Sequence, residues 1–315
     1  MTHAPPPDAP QPHVISVAED RAKARTERDF TTADALRDEL TDAGWNVVDE
    51  PGGGWRLDPL APGSADATEP LQPHDVASRL GEPATDDVSV HWVAEGWPDD
   101  IARAIASLRS HQRSRSIHYV VADVTGALPG VFGGDVEVVG LVEGTGWGAA
   151  ANAALHRATG RIVVMMDASI EATGDVFGPL EQALADPEVG IAGPFGIVTH
   201  DLREFDQTTG AGPCDAIEGY CMAMRRDVLA SVQGFDEKFR WYRTADIELS
   251  FRVKDRGLRT DVVPLPVVKH EHRMWFETPP AERAKWSKRN FYRFLDRWRD
   301  RWDLVLDPRP PGDES

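Results

Sequence analysis

Few residues in this chain have types and positions suited to chemistry. Asp123 closes the apolar run HYVVAD, Asp167 closes RIVVMMD, and Asp246 falls in the first turn of the helical stretch ADIELSFRVKDRG. Acids at the carboxyl ends of parallel strands face the crevice where such sheets hold their ligands. A carboxylate there can hold Mg²⁺ or Mn²⁺ against a diphosphate, and one near a helix N-terminus is either a general base or a complement to the helix dipole. His270 and His272 alternate in VVKHEH and so face opposite sides of an extended segment; one of them could reach a metal or diphosphate. Gly144, Gly146, Gly148 and Ala149 fit G-x-G-x-x-A after a strand and at a helix start, with Asp167 about twenty residues on, the dinucleotide fingerprint of an NAD(P)-dependent oxidoreductase. A complete strand-helix-strand unit precedes this loop and bulky Trp147 sits in its turn, so a plain strand-to-helix connection stays open beside that reading. Cys214 and Cys221 read as small packing residues, too few for a cysteine-type zinc site.

These residues need a scaffold, and the spacing of apolar residues predicts one. From Val88 onward, β-branched runs (VSVHWVA, HYVVADV, VEVVGLVE, RIVVMMD) alternate with amphipathic stretches, including helices over 149–158 and 245–256, the latter with Thr244 as N-cap and Gly257 past its end. That alternation predicts an α/β domain with a Rossmann-like, mostly parallel sheet flanked by helices. The expected organisation is a Pro-rich disordered tail over 1–16, a small helical module with a short hairpin over 17–60, a linker over 61–83, the α/β domain over 84–305 and a disordered tail over 306–315. In the module, Phe30, Ala33, Leu36 and Leu40 recur at helical spacing, with Thr31 or Thr32 as cap and Gly44 as stop. Across 315 residues, 34 Lys+Arg against 52 Asp+Glu leave a net charge of −18, which argues against nucleic acid as a partner. No apolar run spans a bilayer and the N-terminus carries no signal-like pattern, so the expected location is the cytoplasm. Residues 271–302 run against the overall charge, with basic residues interleaved with Trp and Phe from a helix start at Thr278-Pro-Pro. That stretch is a candidate for peripheral contact with the inner face of a membrane, or else packs its Trp stripe on the domain.

The run from 88 to 302 resembles the family 2 glycosyltransferases of GT-A fold, nearest in pattern to the rhamnosyltransferase-like branch. The resemblance is carried by VSVHWVAEGWPDDIARAIASL, HYVVADV, GWGAAANAALHRATG, VVMMDAS, GYCMAMRRDVL, GFDEKFRWY, ADIELSFRVKDRGLR and VVKHEHRMW, in family order. It implies an inverting transfer from a nucleoside-diphosphate sugar to a glycan or lipid-linked acceptor, in cell-envelope or polysaccharide synthesis. It further implies Asp246 as catalytic base, Asp123, Gly146, Gly148, Asn152, Asp167, Ser169 and Arg252 at the donor, and Asp167 with His270 on a divalent cation. Three departures stand out: Asp167-Ala168-Ser169 has a hydroxyl where the family's D-x-D ends in an acid, Ala245 replaces the acid before the base, and Ala94-Glu95-Gly96 lacks the usual Tyr-Asn. They keep open a non-catalytic nucleotide-sugar or protein binding module of the same fold. Residues 17–57 resemble the C-terminal segment of cysteinyl-tRNA synthetases, which implies a docking module without catalytic residues.

Overall fold

The structure, a computed structural model, describes residues 10–27, 29–43, 45–50, 54–59, 69–111, 114–126 and 132–309. It divides into two compact units, residues 1–68 with 128–136, and residues 69–127 with 137–315.

The first unit holds helices α1 (Pro12–Thr26) and α2 (Phe30–Asp42) and an antiparallel hairpin of β1 (Trp45–Glu50) and β2 (Gly54–Pro59). Val14, Ala18, Leu40, Trp45 and Val47 form its core. Helix α1 starts at Pro12, inside the stretch expected to be disordered: Pro fits the first helical position, and Val14 and Ala18 lie one turn apart on a face that the core buries. Asp29 caps α2 by accepting from the Thr32 N–H at 3.2 Å and the Thr32 hydroxyl at 2.7 Å, so Thr32 donates to the cap; the Thr31 side chain lies outside the described ones. Gly44, residues 1–9, 61–68 and 310–315 lie outside the described residues.

The second unit runs β3 (Asp86–Ala94), α3 (Pro98–His111), β4 (Ile117–Asp123), β5 (Val136–Gly140), α4 (Trp147–His156), β6 (Gly160–Met166), β7 (Ile170–Ala172), α5 (Phe177–Leu184) and β8 (Val189–Gly193). Next come the short strands β9 (Gly196–Val198), β10 (Asp206–Thr208), β11 (Gly212–Cys214) and β12 (Ala216–Ile217), then β13 (Cys221–Arg225) and α6 (Arg226–Val232). The chain continues with α7 (Ala245–Lys254), β14 (Arg259–Val262), β15 (Val267–Lys269), α8 (Arg273–Glu277) and α9 (Pro280–Trp298). Eight strands form the central sheet in the order β11-β14-β8-β13-β6-β3-β4-β5. Strand β3 is parallel to both β4 and β6, while β13 runs antiparallel between β6 and β8, so the sheet is mixed.

Helix α4 covers the sheet with Ala150, Ala153 and Ala154, whose small side chains let it lie close to Val120, Ala122 and Val139. Val76 joins the same cluster and Leu71 bridges Leu141, so the described part of the expected linker, 69–83, is packed onto the sheet. Burying Val76 contributes about 1.5–3 kcal/mol toward holding the segment there, beside the backbone bonds of Leu71 and Arg79 to Gly140 and His156. Helix α9 places Asn290, Phe294 and Trp298 on one buried face, with Phe294 and Trp298 in the cluster that holds Ile247 and Phe251 of α7. No helix among the described residues is long and apolar enough to cross a membrane.

Candidate functional site

Register places the strand-end acids. Ala94 of β3 pairs with Asp123, and His91 pairs with Met165, which puts Asp167 level with Val93 on the other side of β3. Both acids therefore lie at one carboxyl edge, two strand spacings or roughly 10 Å apart. They share a local design. Asp123 Oδ1 accepts from the N–H and hydroxyl of Thr125 at 2.8 and 2.6 Å, and Asp167 Oδ1 accepts from those of Ser169 at 2.8 and 2.5 Å. Ser169 is buried and serves Asp167, which explains why a hydroxyl stands where an outward acid was expected. Asp123 is 1% exposed and does not line the cavity at Asp167.

The second oxygen of Asp167 faces His272 Nε2 at 3.0 Å. Burial opposes the charge on Asp167, but His272 and Ser169 outweigh it and hold the carboxyl below the usual range. His272 caps α8 and is fixed by rings, stacked 4.6 Å from Tyr242 and edge-on to Tyr220 at 5.8 Å. His270, expected at the metal, instead pairs with Glu171 at 2.6 Å. The alternation was legible, but the β15–β7 pairing that ends at Lys269 decides which ring faces Asp167.

Asp167, Tyr242, His272 and Trp147 form the wall between two cavities. On the strand side lie Glu95, Gly96 and Trp97, where Glu95 is pushed up to about 8 by burial and by the charge of Asp167. On the other side, a cavity of about 190 Å³ takes in Asp246, Glu218, Tyr220, Arg243 and Thr244. Asp246 Oδ2 accepts from the Gly219 N–H at 2.8 Å and Oδ1 from its own helix at Ile247 N, 2.9 Å. Burial raises its pKa, Gly219 and Ile247 pull it down, and the nearby Glu218 charge adds to the rise. Thr244 supplies the N-cap position but no side-chain bond, and its φ of 72° is costly for a β-branched residue. Trp97, with φ 52°, is the other left-handed non-glycine residue lining these cavities.

Other residues expected at the donor do structural work. The Gly148 and Trp147 N–H groups donate to the carbonyls of Phe239 and Arg240 at 2.9 and 3.3 Å. A Cβ on Gly146 would sit 2.9 Å from Arg240, and one on Gly148 would sit 2.8 Å from the Asp236 carbonyl. The glycines thus admit the 236–240 loop where a dinucleotide's pyrophosphate would have to bind, and the dinucleotide reading fails on that contact. Asn152 clamps Phe235 through two bonds of 2.7 and 2.8 Å. Arg252 is engaged by Glu248 and the carbonyls of Val232 and Gly234. Cys214 and Cys221 are buried, and burial lifts their thiols to about 11 and about 12.

Among the described residues no group of three or more His, Cys, Asp or Glu is gathered for a metal. Asp167 and His272 still fit a divalent cation that also takes diphosphate oxygens and water, since such ions need only one or two protein ligands. Tyr242, Glu95 and Arg243 were missed as site residues by sequence reasoning, with only the Ala94-Glu95-Gly96 departure pointing to one of them; His272 was a candidate beside His270, and the resemblance favoured the other ring.

Residues 98–248 match glycosyl transferase family 2. No curated protein matches the chain. Among solved structures, GalNAc-T7 with UDP, GalNAc and Mn²⁺ aligns with a TM-score of 0.57 at 15% identity, over 69% of this chain and 50% of that one. The mannosyltransferase PcManGT of Pyrobaculum calidifontis, in complex with GDP-Man and Mn²⁺, gives 0.48 at 21% identity over 70% and 67%. S. aureus TarS gives 0.45 at 12% over 70% and 75%. The chain spans about half the length of GalNAc-T7, and that likeness establishes the GT-A fold: a mixed, mostly parallel sheet flanked by helices.

Proposed function

We propose that this glycosyl transferase family 2 enzyme moves a sugar from a nucleoside-diphosphate sugar to an acceptor hydroxyl with inversion at the anomeric carbon. The observation that carries the reading is that Asp246, Asp167 and His272 line one cavity. In it, the donor diphosphate lies at Asp167 and His272 and the acceptor lies on the side of Asp246, Glu218 and Tyr220. Asp246 accepts the proton of the acceptor hydroxyl as that oxygen bonds to the anomeric carbon and the bond to the diphosphate breaks on the opposite face. A positioned base of this kind contributes ~10²- to 10⁴-fold. Gly219 fixes the carboxylate by its N–H, and a Cβ there would come within 3.4 Å of the Asp246 side chain. When bound, Mg²⁺ or Mn²⁺ supplies neutralisation of the departing diphosphate, with Asp167 and His272 as the residues that would hold it.

A glycan or lipid-linked acceptor, a role in cell-envelope or polysaccharide synthesis, and a cytoplasmic location belong to the same proposal. The 17–57 module is a docking element in it and supplies no catalytic group. The engagement of both Asp167 oxygens by Ser169 and His272 favours, as second reading, a binding module that holds nucleotide sugar without turning it over. Thermal unfolding with UDP-, dTDP- and GDP-sugars and NAD(P), with and without Mn²⁺, followed by release of nucleoside diphosphate, separates these readings. Stabilisation and release support the transferase, stabilisation without turnover on any acceptor supports the binding module, and stabilisation by NAD(P) alone ends both.

A further inference from the structure

The basic residues of α9 fall into two sets. In its second half Arg293 and Arg297, and just past its end Arg299, pair with Asp236, Glu248 and Asp296. In its first half Arg283, Lys285, Lys288 and Arg289 form no ion pair with a carboxylate among the described residues, and each lies over an aromatic ring. Arg283 is 4.6 Å from Trp275, Lys285 and Arg289 are 5.6 and 5.5 Å from Trp286, and Lys288 is 5.9 Å from Tyr292. Lys285, Lys288, Arg289 and Tyr292 follow i, i+3, i+4, i+7, so they share one face, opposite the buried Asn290, Phe294 and Trp298. Tyr292 is 55% exposed, and Phe276 on α8 is 60% exposed, more than any other large apolar side chain among the described residues.

We propose that this face of α8 and α9 rests on an anionic lipid bilayer, with Phe276 and Tyr292 at headgroup depth and Lys285, Lys288 and Arg289 against the headgroups. Unpaired cations on a chain of net charge −18 mark a place where anions are wanted against the overall field. A soluble polyanion would use the cations alone and leave Phe276 in water, whereas an interface accepts rings and cations together. The opposite side of α9 is the one turned toward the site, through Arg283. Arg243, which lines the cavity of Asp246, stacks 4.8 Å from Trp275, the same ring that Arg283 covers. The inference stands on the surface and does not depend on the transferase reading.

The test uses the full chain and sedimentation with phosphatidylcholine vesicles, with and without phosphatidylglycerol. Binding is expected only with phosphatidylglycerol. The combined Lys285→Gln, Lys288→Gln, Arg289→Gln variant should bind on the order of 100-fold more weakly, since each basic residue near such a surface contributes about fivefold. Phe276→Ser with Tyr292→Ser should lose the fraction that salt does not release, while thermal unfolding of both variants stays parental. Absence of binding to either vesicle, parental binding by the triple variant, or capture by soluble polyphosphate without capture by vesicles would overturn the proposal.

Discussion

Asp246 carries two separable roles at the scale of a single residue, because a partly buried helix-start acid contributes up to about 2 kcal/mol of stability whereas a positioned base contributes ~10²- to 10⁴-fold in rate. Asp246→Asn keeps the shape and removes the charge; it should leave donor affinity near parental and lower transfer by at least ~100-fold. Parental transfer with lowered stability would reduce Asp246 to a cap. The pH profile follows from its surroundings. Burial and Glu218 raise the Asp246 pKa, and a base works only when deprotonated, so kcat/KM should rise with pH through a value above the ordinary carboxylate range. Glu218→Gln removes one cause of that rise and should move the acid limb to lower pH; an unmoved limb would assign it to another group. The two histidines make a paired test. His272→Ala should weaken donor binding measured with Mn²⁺ by ~10- to 100-fold, while His270→Ala, which loses only a partly exposed pair with Glu171, should bind as the parent does. Equal losses in the two variants would contradict the placement of His272.

Two elements hold the site by close backbone approach, and both conceal their purpose in the local sequence. The start of α4 is closed by the 236–240 loop, whose carbonyls take the Trp147 and Gly148 N–H groups. Gly148→Ala would drive a Cβ into the Asp236 and Phe239 carbonyls, which are backbone and cannot swing away. We expect a loss of about 1–3 kcal/mol in urea unfolding, the usual cost of overpacking. Donor affinity should change little, because the N–H groups of this helix start are already occupied; a selective loss of nucleotide binding at parental stability would return the glycines to the ligand. Helix α7 begins from Thr244 in a left-handed conformation, which sets the carboxylate of Asp246 two residues later against Gly219 N. The cost of that conformation is met by the packing of Ala245, Leu249 and Val253 in the core.

His91 links acidity to the stability of the whole domain. It lies in the middle of β3, fully buried, and burial, with His118 nearby, pushes its imidazole from 6.5 down to about 3. The unfolded chain therefore takes up this proton first, so the stability it confers is complete above pH 6.5 and is lost as pH falls from there toward 3. Its share is about 1.4 kcal/mol per pH unit within that window. Replacement by Leu should flatten the urea midpoint against pH over this window; an unchanged slope would place the acid sensitivity elsewhere. The alternating apolar runs determined by themselves that β3, β4 and β6 form, and that acids close two of them, because burial of both faces demands continuous apolar strands and polar residues end them. The α/β class and the helices that follow were legible for the same local reason. Tertiary structure alone decided the rest. Whether His270 or His272 meets Asp167 depends on a strand pairing a hundred residues away, and Ser169 became a partner of Asp167 through the turn that the strand end adopts. The glycine loop took a protein contact in place of a pyrophosphate because residues 236–240 fold back onto it. Spacing fixes which residues are neighbours along an element, whereas the face that meets another element is set by contacts between segments far apart in the chain.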